Sequence, residues 1–406
     1  MIVKTEPGRP SHPVAFLILF LPFGALSGYV IVALAYGLTR AGVSVEGVAA
    51  LVALGLFPHT WKVLWAPVVD TTFTNKRWYL ASAVITGLCL LATASVPLRA
   101  DELPLLAVLV LMFNITGTFM GMSAESLMAH TTPHSQKGRA GGWSQAGNVG
   151  GAGLGGGAAL WLTEHYASWT GGAALGLTCL ACCTALLFVP EPPHNHRAPR
   201  LIPSIRNVGR DVWRIARSGL GFLALVLLFL PAGSGAASNL WAAIASNWHA
   251  SADIVALVNG VLGGVISMIG CLIGGRLCDL MDRKMAYCAF GVALALCALF
   301  MAAAPRTPSM FVVFTCIYAF INGLIYAGFS SVTLEAIGTG AAATKYNLFA
   351  CLANLPTAYM TVIEGWAQTR WGSGTMLVIE AVLGVAGVLL FLAVAAGVRT
   401  RNIFAS

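Results

Sequence analysis

The stretch from Gly275 to Lys284 reads G-R-L-C-D-L-M-D-R-K and joins two long apolar segments of the chain. In it, an aspartate, Asp279, is followed within a few residues by a basic pair. The same order of features occurs earlier, where an apolar segment ends at Asp70 and basic residues follow at Lys76 and Arg77. The two aspartates are 209 residues apart, which is about half of the 406-residue chain. This spacing indicates a duplicated unit.

Two further pairs of polar residues repeat at nearly the same spacing. Asn114 and Asn322 are 208 residues apart, and Glu125 and Glu335 are 210 residues apart. Several pairs that share one offset predict a duplicated six-helix unit, an architecture that is common among secondary transporters.

The composition excludes an ordinary soluble protein. Hydrophobic residues make up 58% of the chain and charged residues only 9%, and the mean hydropathy is +0.80. Soluble domains carry roughly 25% charged residues. Because unpaired backbone groups are costly in lipid, and the apolar runs lack the alternation of a barrel strand, we predict an all-α membrane protein.

Twelve apolar stretches are long enough to cross a bilayer, and they fall into two groups of six. We predict an N-terminal half over 1–189, a basic cytoplasmic linker over 190–218 and a C-terminal half over 219–406. The predicted spans are 13–39, 46–69, 78–98, 104–126, 141–163, 170–189, 219–246, 251–275, 285–304, 308–331, 345–368 and 373–397.

The net charge of +8 follows the predicted topology. If the N-terminus is cytoplasmic, eighteen of the 23 Lys and Arg residues lie on that side, four lie opposite and Lys62 lies within a span. The positive-inside rule then places both termini in the cytoplasm, and no nucleic-acid partner is expected. Four linker arginines recur at helical spacing and predict an amphipathic helix on anionic lipid: Arg206, Arg210, Arg214 and Arg217.

In the loop from Gly275 to Lys284, the chain resembles the major facilitator superfamily, although Asp282 stands where that family usually has Gly. W-K-V-L-W-A-P-V-V-D (Trp61–Asp70) and A-T-K-Y-N (Ala343–Asn347) are similar to the peptide, acetyl-coenzyme A and drug transporter group, which includes muropeptide and siderophore permeases. The resemblance implies two six-helix bundles in a bacterial inner membrane. It also implies a monomeric, proton-coupled permease that moves a small organic solute by alternating access.

Lys62 is the most conspicuous candidate for the binding site, because a charge at the bilayer centre costs about 2.5–3.5 kcal/mol on insertion scales. His59 lies three residues earlier on the same helical face. Together they could present a cationic surface to a carboxylate, a phosphate or a metal chelate. Alternatively, Lys62 pairs with a carboxylate of a neighbouring helix and His59 only packs.

Further polar residues predict a polar cavity wall. In the family that the chain resembles, the fourth and tenth spans, which carry Asn114 and Asn322, line the central cavity. Interhelical hydrogen bonding is the alternative role for each residue. The remaining predicted substrate ligands are Tyr29, Thr118, Asn148, Ser238, Trp241, Tyr326 and Asn354.

Two carboxylates lie in the last two spans. Either Glu364 or Glu380 could take up a proton, because burial favours the neutral form of a carboxyl group. The alternative is an ion pair, for example between Glu364 and Arg370.

We expect a latch at the cytoplasmic ends of the helices, formed by aspartates and nearby basic residues. Glu125 and Glu335, which precede Lys137 and Lys345, resemble gate ion pairs. The full set of predicted latch and gate residues is Asp70, Arg77, Glu125, Arg139, Asp279, Arg283, Glu335 and Lys345.

No catalytic residue, cofactor or metal is predicted. A formal G-x-G-x-x-G begins at Gly151, but Gly147, Gly151 and Gly155 recur every four residues and instead indicate close helix packing. The sequence therefore predicts a secondary permease. The alternatives are a transporter-derived membrane sensor and an integral membrane acyltransferase that uses His59 or His130.

Overall fold

A computed structural model describes residues 11–43, 45–192, 210, 213–337 and 342–403. These residues are almost entirely helical, and no strand occurs among them. Eight helical stretches are long and apolar enough to cross a membrane. The prediction of an all-α membrane protein is therefore confirmed.

The helices of the N-terminal half follow the predicted spans. The second helix ends at Trp61, and the chain continues as a 3₁₀ turn over Lys62–Leu64 and a short helix over Ala66–Thr71. The helices are α1 (Val14–Arg40), α2 (Val45–Trp61), α3 (Asn75–Ser95), α4 (Leu103–Thr131), α5 (Lys137–His165) and α6 (Thr170–Cys182).

The C-terminal half ends in a helical stretch, Ala342–Ile403, that Gly372 divides with a φ of +81° into α11 (342–371) and α12 (373–403). The number of twelve crossings fits this arrangement and stays a prediction. The preceding helices are α7 (Gly219–Phe229), α8 (Gly263–Leu280), α9 (Arg283–Ala303) and α10 (Pro308–Ile337).

The predicted linker helix is described only at its end. Arg206 lies outside the described residues, and residues 213–217 are helical. There the guanidinium of Arg217 lies 4.7 Å from the ring centroid of Trp213.

Glycines on α5 bring its backbone against α1. A Cβ atom at Gly147 would lie 2.2 Å from the carbonyl oxygen of Leu17, and one at Gly151 would lie 2.3 Å from that of Leu21. Because no side chain fits these gaps, the two helices pack more closely than larger residues would allow. The packing interpretation of the glycine-rich run is thus confirmed.

Glycines also form the contact between α5 and α8, which joins the two halves. A Cβ atom at Gly142 would lie 2.7 Å from the Cα of Gly275, and one at Gly153 would lie 3.0 Å from the Cα of Gly264. At these two positions the halves touch through backbone atoms.

Helix α7 breaks in the middle of its predicted span. It ends at Phe229, Pro231 follows, and both Gly233 and Gly235 adopt positive φ values, of +74° and +67°. Such values are readily adopted only by glycine. The broken segment carries irregular backbone to the space between the halves, as discontinuous helices do in many transporters.

Candidate functional site

The face of the bundle that carries Asp70 and Asp279 is here named the latch face. The carboxylate of Asp279, at the end of α8, accepts hydrogen bonds from the backbone N–H groups of Gly138 and Arg139 at 2.8 and 3.0 Å. It also accepts one from the Nε of Arg139 at 3.1 Å, and Arg283 lies 3.8 Å away. A carboxylate of the C-terminal half thereby caps the first turn of α5, in the N-terminal half.

Asp70 makes the reciprocal contact. It accepts from the backbone N–H groups of Ala343 and Thr344 at 3.2 and 2.9 Å, and from the Thr344 hydroxyl at 2.7 Å. Asp70 therefore caps the start of α11 from the N-terminal half. Burial raises the pKa of the Asp70 carboxyl to about 6, although these hydrogen bonds and the charge of Lys345 act in the opposite direction.

Ion pairs surround the Asp279 side of the latch face. Glu335 lies 3.6 Å from both Arg283 and Lys284, and the Arg283 guanidinium also donates to the carbonyl of His134 at 2.5 Å. Lys137 donates to the carbonyl of Leu334 at 2.5 Å, across the two halves.

Arg77 and Lys345 were also predicted to belong to the latch. Arg77 makes a backbone hydrogen bond to the hydroxyl of Thr74, but within the described part of the chain its guanidinium forms no ion pair, so its assignment to the latch is not supported. Lys345 donates to the carbonyl of Ile337 at 3.2 Å, within its own half.

A central cavity of about 360 Å³ lies between the halves. Polar and aromatic residues of both halves form its wall, and the broken segment of α7 contributes Gly233 and Ser234. The predicted substrate ligands that line it are His59, Lys62, Asn148, Asn322, Tyr326 and Asn354.

The wall of this cavity contains a buried ion pair. The Nζ of Lys62 lies 3.0 Å from Oε1 of Glu125, and both side chains are buried. The second carboxylate oxygen of Glu125 accepts from the Nδ2 of Asn347 at 2.6 Å. Asn347 belongs to α11, so this chain of contacts connects the two halves. Here it is called the Lys62–Glu125–Asn347 triad.

The position of Glu125 corrects one prediction. It does not join Lys137 at the latch face, because the helical face that carries it turns toward α2 and the central cavity. Lys62 accordingly pairs with a carboxylate of a neighbouring helix, which was the alternative to a role in solute binding. The charge of Lys62 is compensated while the triad is intact.

Three predicted ligands, Asn114, Thr118 and Tyr29, do not line the central cavity. His59 bonds the Oδ1 of Asn114 at 2.9 Å and so screens the buried Asn114 from the cavity. Thr118 is buried and accepts from the indole N–H of Trp65 at 3.0 Å. Tyr29 lines a separate cavity of about 230 Å³ within the N-terminal half. Their placement in the substrate site is not supported.

A second cavity, of about 440 Å³, lies on the side of the central cavity away from the latch face. It contains the other two predicted ligands, Ser238 and Trp241, and it is also lined by Tyr318. Asn322 lines both cavities, which places it between them.

Glu364 and Glu380 are both buried in the C-terminal half. The hydroxyl of Tyr318 donates to one oxygen of Glu380. Among the described residues, neither oxygen of Glu364 has a hydrogen-bond partner, and the second oxygen of Glu380 has none. The suggested pair between Glu364 and Arg370 is absent there, since Arg370 lies over the ring of Trp366 at 5.4 Å.

The structure adds cavity residues that were not among the predicted ligands. Ser27, Tyr287, Tyr346 and Thr357 all line the central cavity. Tyr346 belongs to the A-T-K-Y-N string, and this pattern in the sequence could have indicated it as a site residue. The others lie on predominantly apolar spans, and only the packing of the helices shows which way they face.

Two helical halves, a cavity between them and reciprocal aspartate caps at one face define a membrane transporter of the two-bundle type. Residues 12–358 match the model of the Major Facilitator Superfamily, and the chain belongs to that family. Its members are transporters, so this chain is a multi-pass membrane transporter of small solutes.

The relatives agree with this assignment. The chain is 22% identical to the anhydromuropeptide permease of Escherichia coli (strain K12) over 389 residues, which cover 92% of this chain and 78% of the relative. Among solved structures, it is similar to the E. coli fucose:proton symporter FucP, with a TM-score of 0.68, 15% identity and coverage of 94% and 98%. The human organic anion transporter MFSD10 gives a TM-score of 0.68 at 14% identity, with coverage of 93% and 98%. These two structures show the shared fold.

Proposed function

We propose that this protein is a monomeric permease of a bacterial inner membrane, with both termini in the cytoplasm, that moves a small anionic organic solute by alternating access. The two six-helix halves rock around the central cavity, and a proton gradient drives uphill transport. The first candidate solute class is anhydromuropeptides and related peptide-like molecules. Siderophores and acyl-coenzyme A are the remaining classes.

The observation that carries this proposal is the Lys62–Glu125–Asn347 triad in the cavity wall. Breaking a buried ion pair leaves an uncompensated charge, which costs roughly 3–5 kcal/mol. A carboxylate or phosphate of the solute can approach Lys62 as a second anionic partner and compete with Glu125 for its ammonium group, so that neither buried charge is left without a partner. Glu125 would then loosen its contact with Asn347 on α11, and binding would weaken a contact between the halves.

The remaining wall supports a solute with many hydrogen-bonding groups. Amide side chains at Asn148, Asn322 and Asn354 can each donate and accept, which suits peptide and sugar groups. The volume falls in the ordinary range for small-molecule sites. The likeness to an anhydromuropeptide permease points to the same class of solute.

The alternatives lack comparable support. An acyltransferase needs a histidine base with an orienting acid. His59 bonds the amide of Asn114, and Nδ1 of His130 bonds the carbonyl of Ser126, so neither of these contacts supplies a carboxylate. A sensor would bind solute without moving it, and product formation in detergent would indicate the enzyme.

The test is uptake into proteoliposomes of labelled anhydromuropeptide, a ferric siderophore, acetyl-coenzyme A and a tripeptide, each with and without a pH gradient. We expect anhydromuropeptide uptake to exceed that of empty vesicles and to fall in Lys62→Ala. Thr72→Ala, at the exposed end of the short helix after α2, is the control. If no solute moves faster than in empty vesicles, the proposal fails. Unchanged uptake by Lys62→Ala removes Lys62 from the site.

A further inference from the structure

The turn at Gly372, between α11 and α12, lies midway in sequence between two glutamates. Glu364 precedes Gly372 by eight residues, and Glu380 follows it by eight. At 1.5 Å per residue, both lie roughly 12 Å from the turn, so in an antiparallel pair of helices they share one depth. Both side chains are buried.

This pair of glutamates has no compensating cation among the described residues. The guanidinium of Arg306 lies 3.7 Å from the ring centroid of Trp248, and Arg370 lies over the ring of Trp366. The other groups that face the pair are the hydroxyl of Tyr318 on α10, the thiol of Cys297 on α9 and the backbone of Ala237 beyond α7.

Two adjacent negative charges are unfavourable at such a position. Burial without a partner is costly for one ionised carboxylate, and a second like charge adds to the cost. The Tyr318 hydroxyl stabilises the charged form of Glu380 alone, since it donates to that carboxylate. Glu364 receives no such donor, and its buried, unpartnered oxygens favour the neutral acid.

We propose that Glu364 and Glu380 share one exchangeable proton and form the coupling site of the transporter, with Tyr318 as its connection to the second cavity. This proposal rests on the proposed transport function and names its proton site. The buried Lys62–Glu125 pair in the wall of the central cavity differs from it, because its opposite charges compensate each other without a proton.

Tyr318 supplies the route because it touches both the second cavity and Glu380. As a proton arrives from hydronium in that cavity, the Tyr318 oxygen accepts it and passes its own hydroxyl proton to Glu380. The tyrosine ends neutral, water remains in the cavity, and the pair of glutamates gains one proton. The entry path therefore opens away from the latch face.

The first test does not need a solute. We expect purified wild-type protein at neutral pH to show the infrared carbonyl band of a protonated carboxyl group, and Glu364→Gln to lose it. Glu102→Gln, in the loop before α4, is the matched control and keeps the band. An identical carboxyl band in wild type and Glu364→Gln would overturn the proposal.

The second test separates exchange from driven uptake in proteoliposomes, with labelled anhydromuropeptide as the probe. We expect Glu364→Gln and Glu380→Gln to retain solute exchange without a gradient and to lose pH-driven accumulation. Tyr318→Phe should retain exchange and slow the driven uptake, while thermal unfolding verifies that each variant is folded.

The outcomes distinguish the two proposals. If wild-type protein moves no probe in either mode, the transport proposal fails while the infrared result still decides the proton site. If both glutamine variants keep pH-driven accumulation, or a sodium gradient replaces the pH gradient in driving wild-type uptake, the proton site is refuted.

Discussion

Asp70 and Asp279 each bind the first turn of a helix in the opposite half, and each does so through two backbone N–H groups. The two caps are related by the internal repeat, but their surroundings differ. Asp279 has Arg139 and Arg283 beside it, whereas Asp70 has the hydroxyl of Thr344. One side of the latch is thus ionic, whereas on the other side neutral donors bind the half-buried carboxyl group of Asp70.

Replacing Asp279 with Asn should open the latch face. Hydrogen bonds to a charged group contribute roughly 1.5–3 kcal/mol, so their loss shifts the ratio of open to closed protein tenfold or more. The thiol of Cys351 donates to the carbonyl oxygen of Thr60, where α11 meets α2. Opening of the latch face should separate these helices and make the thiol more accessible. We expect faster maleimide labelling at Cys351, measured by mass spectrometry.

Asp282→Asn is the matched control for this experiment. Asp282 caps α9 within its own half by accepting from the N–H groups of Lys284 and Met285. Its loss should leave labelling of Cys351 unchanged. Equal labelling of Asp279→Asn and wild type would contradict the assigned role of Asp279.

The Asp70 side should respond to pH. Since burial raises the pKa of Asp70 from 3.8 to about 6, the closed latch binds a proton more tightly than an open one in which Asp70 is hydrated. The resulting stabilisation is complete below the lower pKa and is lost as pH rises through about 6. Labelling of Cys351, normalised to denatured protein at each pH, should therefore slow as pH falls below about 6.

Asp70→Asn should remove this pH dependence, because the amide does not titrate. Asp282→Asn again serves as the control and should keep the wild-type profile. A profile that is the same in Asp70→Asn and wild type would assign the titration to another group.

The Lys62–Glu125 pair should be sensitive to single replacement. Lys62→Met leaves Glu125 buried without its cation and should destabilise the protein by roughly 3–5 kcal/mol. The double variant Lys62→Met with Glu125→Gln should recover most of the lost thermal stability, since it buries no isolated charge. Anionic solute binding should not recover. If it does, the charge of Lys62 is not what binds the solute.

The α1–α5 contact should not tolerate a methyl group. Gly151→Ala would place a Cβ atom 2.3 Å from the carbonyl oxygen of Leu21, and overpacking of this kind costs roughly 1–3 kcal/mol. Gly365→Ala is the control, because no atom lies within 4 Å of its added Cβ. We expect a lower melting temperature for Gly151→Ala only, and an unchanged one would indicate that the helices move apart at little cost.

Much of the architecture could be predicted because membrane insertion and internal repetition leave strong patterns. Apolar length identified the helices, and the offset of 209 residues identified the two aspartates of the latch. The partners were harder to predict. Glu125 and Lys62 are 63 residues apart, and the rotation of α4 that brings them together depends on packing.

One relationship between the last two helices is also visible in the sequence. The equal distances of Glu364 and Glu380 from Gly372 predict their pairing once a turn is recognised there. Thr118 shows the opposite situation. It lies one turn from Asn114 on α4, yet the indole of Trp65 covers it, and nothing in the spacing indicates that contact.

The glycine contact between Gly153 and Gly264 has a consequence for the speed of the transport cycle. Where backbones meet without interlocking side chains, one half can roll on the other while breaking only dispersion contacts, each about 0.1–0.2 kcal/mol. The energy barrier to rocking then comes mainly from the hydrogen bonds and ion pairs of the latch face, where α5 begins and α8 ends. Substitutions there should change the turnover rate, while the affinity for solute stays nearly constant.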